Sequence, residues 1–157
     1  MQDSPSDHFN ASPVLLKRPS QSRWSSFTWQ LLGIQPGISS EIIEKARQDG
    51  ELLFLPAMRI QLYPQFCEAY HVNLTSNQPG VYLVCQDAPG AEQPRPLLLT
   101  VDFDEAASYM EAGQQVLEAT LAGEWCVWLE RYVIAHYRPQ APKKRRRQNW
   151  QPEQEQS

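Results

Sequence analysis

No stretch of this 157-residue chain stays apolar over the roughly 18–20 residues that a membrane-spanning helix requires. The opening residues, MQDSPSDHFN, lack the basic and apolar regions of a secretory signal. Cysteine is scarce. Cys67, Cys85 and Cys126 are far apart, and an odd count without CxxC spacing argues against a disulfide scaffold or a zinc site. Thiols of this kind are expected to lie buried in a reducing cytoplasm. The seven glycines are scattered, with neither a GxGxxG nor a GxxxxGK[ST] phosphate loop, and there is no GxSxG elbow. His8, His71 and His136 stand alone, and the residue one helical turn before His136 is Tyr132, which is no ligand. Cations are also few over most of the chain. Residues 1–142 hold nine Lys and Arg against sixteen Asp and Glu, a balance of −7 that repels phosphate backbones at long range.

What is present suffices for one domain with a hydrophobic core. Residues 1–12 read as a disordered N-terminus, 13–138 as a single α+β domain, and 139–157 as a disordered tail, first basic and then acidic. Short strands are expected at 13–18, 27–34, 58–63, 68–76, 81–86 and 97–103. In EAYHVNLTS, Tyr70, Val72 and Leu74 alternate with His71, Asn73 and Thr75, and PQFC before it has the length of a hairpin connection. VYLVCQ is apolar on both faces, as a central strand would be. The spacing predicts an antiparallel meander of about five or six strands.

Three helices are expected. SSEIIEKARQDG has Ser39 or Ser40 to cap its N–H groups and Gly50 to end it. DEAASYMEAG starts at a capping Asp102 or Asp104 and ends at Gly113. The last carries Leu121, Trp125, Trp128, Leu129, Tyr132, Val133, His136 and Tyr137 at steps of three and four. That stripe is expected to cover one face of the sheet. The cluster Asp102, Asp104 and Glu105 could serve acid–base chemistry or hold a divalent cation, but helix capping explains it more simply.

Three segments suggest contact with a partner. RPSQSRW places Arg18, Arg23 and Trp24 in a loop, and Arg and Trp are favoured at interface hot spots. EAYHVNLTS offers Glu68, Tyr70 and Asn73 beside a turn. Lys143, Lys144, Arg145, Arg146 and Arg147 form a block of five cations, set off from the last helix by Pro139 and Pro142 and followed by Trp150. Such a block suits docking to an acidic partner or simple solvation.

The order of RPSQSRW, LYPQFCEAYHVNLTS, PGVYLVC, VDFDEAASYMEAGQQV and WLERYVIAHYRP, running into the Lys/Arg block, resembles an uncharacterised bacterial family, a domain of unknown function. The resemblance covers roughly residues 13–147. Genes of that family commonly sit beside those of molybdenum-dependent formate dehydrogenases and their maturation factors, and members are sometimes labelled molybdopterin-guanine dinucleotide biosynthesis proteins. The resemblance implies a cytoplasmic, non-catalytic accessory protein without a cofactor, whose protein partner is the dehydrogenase or one of its maturation factors. It implies no catalytic residues. The alternatives are a nucleic-acid-binding regulator using the basic tail, which the acidic body disfavours, and an enzyme of molybdopterin metabolism.

Overall fold

The computed structural model describes residues 5–20, 27–88 and 91–138. The architecture is α+β, with antiparallel strand pairing throughout. Among the described residues seven strands form two sheets, one of four strands and one of three, where a single meander was expected.

The first sheet is organised by β1 (His8–Pro19), which pairs with β2 (Phe27–Gln35) along one edge. Its other edge takes β3 (Glu51–Phe54) and then β4 (Met58–Gln61). Residues 8–12, expected to be disordered with the N-terminus, are therefore strand. Asn10 and Ser12 are polar, but Phe9 and Ala11 meet Ile60 and Met58 across the ladder. The register along β1 shifts by one residue between β3 and β4, at Leu55-Pro56-Ala57. Pro56 has no N–H to give a ladder. A second irregularity lies in β2, where Leu32 is an extra residue and Gly33 has φ +154°, a β-bulge.

Between β2 and β3 runs α1 (Ser40–Asp49), capped as expected by the Ser39 side chain, which accepts from Ile42 N–H at 3.3 Å. Gly50 ends it where the chain passes against β1. A Cβ there would lie 2.1 Å from the Lys17 carbonyl oxygen. Only a residue without a side chain fits that approach.

The second sheet has the order β6-β5-β7, with β5 (Gly80–Gln86) central and buried at every residue but Gln86, as its apolar sequence predicts. Its neighbours are β6 (Arg95–Thr100) and β7 (Gln115–Thr120). The strand β7 was not anticipated from QVLEAT. Between β6 and β7 lies α3 (Phe103–Glu111).

One correction concerns residues 64–75. PQFC is not a hairpin turn but a 3-10 turn at Pro64–Phe66 leading into α2 (Cys67–Thr75). The alternation in EAYHVNLTS was misleading because the buried residues are Cys67, Tyr70 and Asn73, three apart. Pro64 fits the start of such a segment, where its missing N–H costs nothing.

The last helix, α4 (Gly123–His136), buries Trp125, Trp128, Leu129, Tyr132 and Val133 as expected. They join Leu15, Leu31 and Ile60 of the first sheet and Leu83 and Leu99 of the second in one core cluster. The polar edges of both indoles are satisfied. Trp125 Nε1 donates to the Pro36 carbonyl at 2.5 Å and Trp128 Nε1 to the Ser6 carbonyl at 2.7 Å, while Phe9 packs edge-on against both rings.

Gly50→Ala is expected to lower the stability by about 1–3 kcal/mol, the usual range for forcing atoms into a packed site. A urea titration measures it, and an unchanged midpoint would contradict the close approach to Lys17.

Candidate functional site: an acidic groove between two helices

A groove of about 910 Å³ runs between α2 and α3. It is built from the middle of the chain outward. Asn73, buried on the inner side of α2, uses its carboxamide in three directions. Nδ2 donates to the Gly80 and Val101 carbonyls, each at 2.9 Å, and Oδ1 accepts from Gly80 N–H at 2.8 Å. These bonds fix α2 to the start of β5 and to the turn before α3. The α3 side is set by Asp102. Its Oδ1 accepts from Asp104 N–H at 2.9 Å and Glu105 N–H at 3.3 Å, the capping role expected of it. Thr100 closes the arrangement. Its hydroxyl donates to Glu105 Oε1 at 2.7 Å and accepts from Asp102 N–H at 3.0 Å.

With both helices so held, the groove has an apolar floor and an acidic rim. Phe66 and Val72 on the α2 side and Phe103 on the α3 side are 46%, 61% and 49% exposed, unusual for large apolar residues at neighbouring positions. Tyr82 lies beneath, edge-on to Phe103. Glu68, Asp102, Asp104 and Glu105 supply four carboxylates, and no cation among the described residues lines the groove. Two of the four, Asp102 and Glu105, are engaged by the cap. The Glu68 and Asp104 carboxylates are exposed and have no hydrogen-bond or ion-pair partner among the described residues. The wider sequence reinforces the sign: residues 60–130 contain ten acids and one base, Arg95. Burial pushes the Asp102 carboxyl above the usual carboxylate range, against the opposing effect of its two N–H donors.

The residues expected at a contact surface divide. Glu68 sits on the groove rim. Tyr70 and Asn73 do not form an exposed surface, because the segment is helical and turns both inward. Tyr70 is buried, accepts from Tyr63 N–H at 2.9 Å through its hydroxyl and packs edge-on against Tyr132. Asn73 is 6% exposed and serves the groove from below. Arg18 lies in β1 rather than in a loop, hydrogen-bonded to Gln30 at 2.9 Å, on the other sheet from the groove. Arg23, Trp24, Lys143, Lys144, Arg145, Arg146 and Arg147 lie outside the described residues. Sequence reasoning missed Phe66, Val72 and Phe103. Pro64, as a helix-start signal, could have exposed the first two.

Elsewhere, chemistry-bearing groups are used structurally. His71 stacks on Tyr137, and His136 lies against Tyr132. Among the described residues no three His, Cys, Asp or Glu side chains converge as metal ligands. Burial raises all three thiol pKa values, that of Cys85 to about 11. The thiolates needed for nucleophilic attack are therefore rare at neutral pH.

The fold and groove thus define an antiparallel α+β protein with an acidic, apolar-floored cleft. Residues 13–147 match the family described as "Protein of unknown function (DUF3305)", and the chain belongs to that family. No curated protein and no solved structure matches it.

Asn73→Ala leaves three backbone groups without their partner and is expected to cost about 3 kcal/mol or more, read from the urea midpoint. In the native protein at pH 8, Cys67 and Cys85 are expected to resist a thiol-specific reagent, with all three cysteines reacting in denaturant. Rapid native labelling of Cys85 would contradict its burial.

Proposed function

We propose that the protein is a non-catalytic accessory protein that binds a protein partner through the groove between α2 and α3. The observation that carries this reading is the exposed triplet Phe66, Val72 and Phe103, set among four carboxylates with no cation between them among the described residues. An apolar floor supplies contact area, and the acidic rim selects a segment bearing Lys or Arg beside an apolar side chain. We further propose that the partner belongs to the assembly of a molybdenum-dependent formate dehydrogenase, in the cytoplasm. That setting rests on the resemblance of the motif order described above. The rival readings have less support. A nucleic acid, or a pterin dinucleotide with its pyrophosphate, would meet carboxylates where it needs cations.

Affinity purification from the native host tests the proposal. The wild-type chain is expected to recover formate dehydrogenase or a maturation factor. Val72→Arg, at an exposed position, should fold normally yet weaken capture by about 2 kcal/mol, roughly 30-fold in Kd. Recovery of neither protein, together with full dehydrogenase activity in a deletion strain, sinks the assignment. Undiminished capture by the folded Val72→Arg variant sinks the groove as the docking surface.

A further inference from the structure

The acidic groove and the basic block of the same chain have complementary chemistry, and the fold delivers one close to the other. The last described residues of the chain, after α4, are Tyr137 and Arg138, and Tyr137 stacks on His71 with ring centroids 5.2 Å apart. His71, Leu74 and Thr75 form one flank of α2. Glu68, Ala69, Val72 and Ser76 form the other, which lines the groove. The chain therefore leaves the described fold with one helix between it and the groove. A helix with its side chains is about 10–12 Å across. The five steps from Arg138 to Lys143 span up to about 17 Å when extended. The five cations thus begin within reach of Glu68 and Asp104, and Trp150 follows at a distance that lets it meet Phe66, Val72 or Phe103.

A second groove, of about 520 Å³ between α2 and α4, lies nearer to Tyr137 but offers one carboxylate, Glu130. Charge therefore favours the farther site.

We propose that residues 143–150 dock in the α2–α3 groove of their own chain. Lys143 to Arg147 lie along the carboxylate rim, and Trp150 covers the apolar floor. The groove is then self-occupied, and a basic partner segment binds by displacing the tail. This regulatory step rests on the groove being the docking surface, but the docking of the tail is measured independently of any partner.

Zero-length carbodiimide cross-linking of the full chain, with peptide mapping by mass spectrometry, tests it. The chain has four lysines, Lys17, Lys45, Lys143 and Lys144, so the donors are easily told apart. Links from Lys143 or Lys144 to Glu68, Asp104 or Glu105 are expected. They should fall severalfold in a Glu68→Gln/Asp104→Asn variant with an unchanged circular dichroism spectrum, and in 1 M salt, where the Debye length is about 3 Å. Replacing all five cations by Gln in the full chain keeps the test open should the groove variant fail to fold. The amide resonances of Val72 and Phe103 are then expected to shift, and unmoved resonances overturn the proposal. Links mainly to Glu130, or none to the groove, also overturn it. Mixing isotopically light and heavy chains separates the two geometries: links joining light to heavy chains assign the groove to a second copy and overturn docking within one chain. Loss of partner capture in Val72→Arg without tail cross-links refutes this inference alone. Tail cross-links with undiminished capture refute the partner-docking reading alone.

Discussion

The carboxamide of Asn73 is the interaction on which the arrangement of the second half of the molecule depends. It is short and neutral, and it carries donors and an acceptor on one rigid plane. From the inner side of α2 it joins the first residue of β5 and the carbonyl of Val101, 28 residues further on. The other attachments of α2 are the packing of Cys67, Tyr70 and Leu74 on the core, the bond from Tyr63 N–H to the Tyr70 hydroxyl and the stacking of His71 on Tyr137, none of which ties α2 to Gly80 or Val101. The groove is a gap between α2 and α3, so its width is set by whatever fixes the distance between those helices. A neutral side chain suits that position because an ionised one would be costly to bury among carbonyl groups.

The acidic rim is built in two layers with different duties. Asp102 and Glu105 are bound to N–H groups and to the Thr100 hydroxyl, and so hold the start of α3 in place. Glu68 and Asp104 stand outward with no such duty. The inner pair adds charge of like sign behind the outer pair.

Much of the fold was legible in the sequence, and the places where it was not share a cause. Helices α1, α3 and α4 announced themselves through capping side chains and a long periodic stripe, both local properties. The central position of β5 followed from Val81 to Cys85, five consecutive apolar residues that no solvated strand would carry. The segment 67–75 misled because Tyr70, Val72 and Leu74 satisfy a two-residue period while Cys67, Tyr70 and Asn73 satisfy a helical one. Local pattern does not choose between them; the tertiary bonds of Asn73 do. Strand β7 has no strong pattern of its own and is a strand because β5 offers it a free edge. The groove inherited this uncertainty. Glu68 was singled out from the sequence and lies on the groove rim, but Phe66 and Val72 were assigned to a turn and a strand face, so their place beside Phe103 in one groove could not be foreseen. The division into two sheets falls at the connection through α2, between β4 and β5, which pairs no strand.

The hydrogen bond from Trp128 to the Ser6 carbonyl joins residues 122 positions apart. Together with Phe9 packed against Trp125 and Trp128, it makes the first strand and the last helix neighbours. Closing so long a loop is entropically costly and comes before the reward of contact. During synthesis, β1 can pair with β2, β3 and β4 long before α4 leaves the ribosome, but the face that will receive the two tryptophans stays open to water until then. The cover of that apolar face is thus supplied by an element made more than a hundred residues after the strand it protects.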